Sequence, residues 1–141
     1  MALQHEFEIF KNSDEVIFTK ESRKKMVTID DFLILYIIDS LGWIPSYSKN
    51  FVHKSMGLDY YGRTYLDAEG IATLNGILNG WIQLFEQAPS TTELTMDYDI
   101  NKGRFNKEKV EKENILNQLQ KLSVLCKKAI ENEYILVHFG I

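Results

Sequence analysis

Residues 67–89 read DAEGIATLNGILNGWIQLFEQAP, and the fold turns on what this stretch becomes. Asp67 carries the side chain of a helix N-cap. Pro89 closes the far end, because the residue before a proline is steered away from helical dihedrals. Between them Ile71, Leu74, Ile77, Leu78, Trp81, Ile82, Leu84, Phe85 and Ala88 recur at helical spacing. At about 100° per residue they fill an arc of roughly 160°, which predicts a helix with a broad buried face. The opposite face holds Thr73, Asn75, Gly76, Asn79, Gly80, Gln83 and Gln87, with Glu69 and Glu86 as its charges. A solvated helix face usually carries Lys and Glu instead. Glycine inside a helix costs about 0.5–1 kcal/mol against alanine. Gly70, Gly76 and Gly80 therefore predict close backbone approach by another segment.

Upstream, Thr28 precedes Ile29, Asp30 and Asp31, a pattern that resembles an N-cap with acidic residues in the first turn. It predicts a helix over residues 28–41, stopped by Gly42 and Pro45. The interior FLILYII is apolar nearly all round, so that helix is expected to be central and buried. Residues 7–10 and 16–19 flank Asn12, Ser13 and Asp14 and read as a hairpin. Residues 21–26 form a charged connector whose Arg23, Lys24 and Lys25 read as solvated surface. From 43 to 66 periodicity fails and aromatics accumulate, with a short strand or hairpin expected around Gly62.

Downstream, Leu94, Met96, Tyr98 and Ile100 alternate with Glu93, Thr95, Asp97 and Asp99, the cleanest strand pattern in the chain. Asn106 reads as the cap of a long amphipathic helix with Ile115, Leu119, Leu122, Cys126 and Ala129 on its apolar side. Cys126 in that stripe is expected to be an inert core thiol. The closing YILVHFGI is apolar on both faces and predicts an inner strand. The sum is one α+β domain over residues 1–141: a small antiparallel or mixed sheet packed against about three helices, near 28–41, 68–88 and 107–131.

A chain of 141 residues with a net charge of −4 and no basic block disfavours a nucleic-acid partner. The longest apolar run, residues 32–38, is too short to span a bilayer. The first ten residues lack a basic region followed by an apolar run, so no secretory leader is expected. A single cysteine excludes an intrachain disulfide and fits a reducing cytoplasm.

Catalytic signals are weak. His5, His53 and His138 show no metal spacing, no serine sits in a nucleophile elbow, and no glycine loop opens a helix. No catalytic residue, metal or cofactor is expected, and His138 reads as a satisfied core histidine. Asp97, Asp99, Asn101, Gly103 and Glu108 approach a calcium loop, but the glycine is one position late and Lys102 takes its place. If Leu94, Met96, Tyr98 and Ile100 face inward, Glu93, Asp97 and Asp99 point outward together as an acidic face.

One resemblance spans residues 57–141. Its letters are Tyr60-Tyr61-Gly62-x-Thr64, Trp81-x-x-Leu84-Phe85-x-x-Ala88-Pro89, the 94–100 strand, and the closing helix and strand with Cys126, Lys128, Ala129 and Ile130. In layout the chain resembles the immunity proteins of bacterial contact-dependent inhibition and related polymorphic toxin systems. The resemblance implies a non-catalytic, cytoplasmic inhibitor that blocks the active site of a cognate toxin domain, often a nuclease. Tyr60, Tyr61 and Arg63 are the candidate anchors, and Glu93, Asp97 and Asp99 the candidate charged contacts. Two other functions are compatible with the residues: a ligand-binding or enzymatic domain with a pocket in the tyrosine-rich segment 43–66, and a homodimer joined through the Asn/Gln/Gly face of the central helix.

Overall fold

A computed structural model describes residues 3–18 and 26–141. The first strand, β1 (Gln4–Phe10), turns His5 and Phe7 to one side and Phe10 to the other. Asn12 then accepts from the amides of Asp14 and Glu15 at 3.0 and 3.2 Å and caps a short helix, α1 (Ser13–Phe18). The hairpin expected across 7–10 and 16–19 is therefore replaced by strand and helix: the turn formers act as a cap. Residues 21–25 of the expected connector lie outside the described residues.

Strand β2 (Val27–Asp30) pairs antiparallel with β1, setting Ile29 against His5 and Thr28 against Glu6. Thr28 is thus a ladder residue rather than a cap, and the helix begins three residues later. It comes in two pieces, α2 (Asp31–Tyr36) and α3 (Ile38–Leu41), offset at Ile37, where φ is −103° and ψ is 10°. Leu33, Ile34, Ile37 and Leu41 are buried, while Leu35, Tyr36 and Ile38 face outward. An all-round apolar sequence has here produced a half-exposed helix.

Strands β3 (Pro45–Ser48) and β4 (His53–Met56) form a hairpin through a turn in which Lys49, Asn50 and Phe51 have φ of 48°, 56° and 70°. Left-handed backbone costs an L-residue about 1–2 kcal/mol. The Phe51 ring offsets part of that by packing 5.1 Å from Tyr47 and 5.3 Å from Tyr65. Strand β5 (Arg63–Leu66) follows, and then the central helix, α4 (Ala68–Glu86), whose Asp67 cap accepts from the Gly70 amide at 3.2 Å.

Strands β6 (Thr91–Asp99) and β7 (Arg104–Glu111) make a second hairpin, separate from the main sheet. Asn106 lies in β7, so it caps nothing. The last helix, α5 (Lys112–Asn132), starts at Lys112, whose amide bonds Ser90 O at 2.9 Å across the base of the hairpin. It ends at Glu133 in left-handed backbone, and the chain closes as β8 (Ile135–Phe139).

The main sheet is antiparallel throughout, in the order β2-β1-β8-β5-β3-β4. The apolar closing segment is the inner strand its composition predicts, held by β1 on one side and β5 on the other. Helices α4 and α5 run antiparallel: the Lys112 ammonium reaches Glu86 O at 3.2 Å, and Ser123 donates to Asn75 Oδ1 at 2.8 Å. Asn75 thus faces a helix neighbour and not solvent. The main core lies between helices and sheet, around Phe7, Leu66, Ile71, Leu74, Leu119 and Leu136. A smaller cluster, Phe10, Val16, Tyr65, Val137 and Phe139, covers the other sheet face. Cys126 is buried, and burial pushes its thiol up to about 12, which keeps it protonated and unreactive.

Candidate functional site: an apolar groove along the central helix

Three glycines on α4 share a sequence signal and have different surroundings. A Cβ at Gly70 would lie 2.4 Å from Pro45 O and 3.2 Å from Leu66, so the expected close approach is real there. At Gly76 and Gly80 a Cβ would meet nothing within 4 Å. The expectation of a packed neighbour fails at these two positions. What the missing side chains leave is an open trough.

The trough is a groove of about 500 Å³, floored by Ala72, Gly76 and Gly80 and walled by Trp43, Trp81 and Leu84. Ala72, Gly76, Gly80 and Leu84 follow one another every fourth residue, so they lie along a single line of the helix. Trp43 is 66% exposed and Leu84 58%. Trp81 is half-buried, and its Nε1–H donates to Ser40 Oγ at 2.9 Å. Ser40 in turn donates to Ile37 O at 2.7 Å. The indole therefore has its polar atom satisfied inward and presents ring carbon to the groove. Tyr36, Trp81 and Phe85 brace one another, with ring centroids 5.8–6.0 Å apart. No lining side chain carries a charge. Such a surface recognises apolar shape, and its volume falls in the usual range for ligand and anchor pockets. Because Trp81 is only half-buried, Trp81→Ala should cost about 1–2 kcal/mol in urea unfolding, below the roughly 3–5 kcal/mol of a fully buried aromatic. A loss of 4 kcal/mol or more would show that the ring is a core residue.

The sequence-predicted anchors divide. Tyr61 is 78% exposed. Tyr60 is half-buried: its hydroxyl donates to Asp31 Oδ1 and its ring sits edge-on to His5, centroids 5.0 Å apart. Burial and the Asp31 carboxylate push the Tyr60 phenol up to about 12. Arg63, on β5, holds its guanidinium 5.8 Å from the Phe139 ring centre.

The acids lie elsewhere, on the β6–β7 hairpin. Glu93 is paired across the ladder with Lys109. Asp97 accepts from Asn106 Nδ2 at 3.2 Å. Asp99 caps the turn by accepting from the amides of Asn101 and Lys102, with the Lys102 ammonium 3.8 Å away. Among the described residues no hydrogen bond or ion pair joins the tyrosines to the acids.

The expected inward face of β6 is corrected as well. Leu94 is buried and Met96 half-buried, but a bulge between Thr95 and Tyr98 shifts the register. Tyr98 turns out to stack edge-on with Phe105 at 5.1 Å, and Ile100 stands 84% exposed in the turn. The hairpin interleaves five carboxylates with four cations. The purely acidic face is thereby diluted to near neutrality.

Sequence reasoning had Trp81 and Leu84 on the buried face and Trp43 in an irregular connection. The usable signal was Gly76 and Gly80, one turn apart on the opposite face and read as close backbone approach by another segment. No family model matches this chain, and no curated protein or solved structure shows significant similarity to it.

Proposed function

We propose that this chain acts by binding, as a stoichiometric, non-catalytic inhibitor of a partner protein, and that the partner is a toxin domain of the kind neutralised by the immunity proteins it resembles in layout. The observation that carries the binding half of this proposal is the uncharged groove on α4, with Trp43 and Leu84 exposed at its walls. Exposed apolar concavities of this kind are uncommon on monomers and mark interaction sites. Tryptophan walls around a floor of Ala72, Gly76 and Gly80 admit an apolar ridge or helix of the partner at close range, the arrangement in which buried anchors supply most of the affinity. Tyr61 is the further exposed anchor. Glu93, Asp97 and Asp99 remain contact candidates, but with Lys107 and Lys109 beside them they contribute selectivity more than long-range steering.

The test fills the groove. Gly80→Leu places a side chain where nothing stands within 4 Å, so the fold should tolerate it. Co-expressed with a candidate toxin domain that it inhibits, the wild-type chain should protect cells and co-purify in a 1:1 complex. Gly80→Leu and Trp43→Ser should each keep their melting temperature within a few degrees and weaken the complex at least a hundredfold. Protection and affinity unchanged in both variants would remove the groove from the interface. A wild-type chain that neither binds nor protects would end the inhibitor proposal itself.

A further inference from the structure

Four residues far apart in sequence meet under α2. Asp31 Oδ1 accepts from the Tyr60 hydroxyl and lies 2.9 Å from His5 Nε2. His5 Nδ1 lies 2.8 Å from His138 Nε2. The carboxylate can only accept, so His5 donates from Nε2. In neutral His5 the Nδ1 atom then accepts, and His138 donates from its own Nε2. The proton order along the chain leaves His138 Nδ1 as a bare lone pair. That atom has no hydrogen-bond partner among the described residues, in a side chain that is 0% exposed.

Beside the two imidazoles lies a cavity of about 120 Å³. His5, His138 and Tyr60 supply its polar side chains, and Ile34, Ile38, Leu41, Met56 and Leu58 most of the remaining wall. Exposed Met56 and Ile38 put its entrance between β4 and α3. Both nitrogens of His5 are engaged within the chain. A lone water suits this site poorly, because a buried water usually makes about three hydrogen bonds and most of the wall is apolar. The space is somewhat smaller than the roughly 150 Å³ cavity known to admit benzene. It suits a body of about five or six heavy atoms.

We propose that this cavity is a binding site for a small neutral molecule with an apolar body and one N–H or O–H group, which donates to His138 Nδ1. The chemical class is that of azoles, short alcohols and small amides. The Tyr60–Asp31–His5 chain is the positioning device: by fixing the His5 tautomer it dictates that His138 offers an acceptor and not a donor. Occupation would tie together the N-terminal strand, the inner strand β8 and the Gly57–Tyr60 segment. The site is independent of the groove on α4, so its failure leaves the inhibitor proposal standing.

The probes are pyrrole and furan, rings of the same shape that differ in whether the heteroatom donates. Each is titrated into the isotopically labelled full chain at pH 7 and followed by NMR. Pyrrole should bind saturably, move the ring-nitrogen signals of His138, and bind about fivefold to tenfold more tightly than furan, the worth of one hydrogen bond. His138→Leu should abolish the preference for pyrrole. The proposal is overturned if pyrrole produces no saturable change. Furan binding as well as or better than pyrrole overturns it too, because His138 would then offer no acceptor. So would a His138→Leu variant that keeps the pyrrole preference. Should that variant fail to fold, the two wild-type titrations decide the matter alone.

Discussion

Lowering the pH from 7 to 4 should remove about 3 kcal/mol of folding stability through His138 alone. The side chain is buried in β8, between Phe7 of β1 and Thr64 of β5 across the two ladders. Burial first, and then the neighbouring His5, lower its pKa from 6.5 to about 3. In the unfolded chain it takes up a proton near its ordinary value; in the folded chain it refuses one until about pH 3. The unfolded state therefore binds more protons throughout that window. Stability is complete above about 6.5 and falls by roughly 1.4 kcal/mol for each pH unit below it. The ionisable groups on this ring's side are His5, with Asp31 and Tyr60 beyond it. The measurement is a set of urea midpoints at pH 7, 5.5 and 4 for the wild type and His138→Leu. The variant should start lower at pH 7 and lose clearly less on acidification. Parallel losses in the two proteins would mean that His138 titrates no differently in the folded state, and that carboxylates carry the whole acid response.

The same cluster shows why part of this molecule was illegible in its sequence. His5 and His138 are 133 positions apart, and Tyr60 and Asp31 29 apart. No local pattern marks a relay assembled by strand order. His138 reads as a core histidine from the apolar letters around it, and it is buried; what those letters do not carry is the neighbour that leaves one of its nitrogens unpaired. Local rules worked where the deciding interactions are local. Asp67 caps α4 through an amide three residues away, and the both-sided apolar run of residues 134–141 becomes an inner strand. They failed where a distant partner competed for the same backbone. Thr28 has the chemistry of a cap, but pairing with β1 holds it in extended backbone opposite Glu6. Asn106 has it too, and β6 takes it into a hairpin. The inward face assigned to Tyr98 and Ile100 failed for a different cause, since period two holds only until a bulge adds a residue.

The glycines of α4 should respond to alanine with opposite signs, although one sequence argument covered all three. Gly70→Ala should destabilise the fold by about 3 kcal/mol, at the upper end of overpacking costs. The new methyl would stand 2.4 Å from the Pro45 carbonyl oxygen, a backbone atom of β3 that cannot rotate away, and 3.2 Å from Leu66. The gain in helix propensity, up to about 1 kcal/mol, is too small to offset that. Gly76→Ala and Gly80→Ala meet no atom within 4 Å, so for them the propensity gain stands alone, at about 0.5–1 kcal/mol of added stability each. Urea unfolding of the three single variants separates the cases, and the Gly76/Gly80 double variant should gain nearly the sum. Destabilisation at Gly76 or Gly80 would mean that something packs on the groove in the free protein, a second copy of the chain above all, and sedimentation would then show a dimer. Glycine that costs folding energy without relieving any contact in the chain is spent on something outside it. A stabilised Gly76/Gly80 double variant that has lost its partner would identify what.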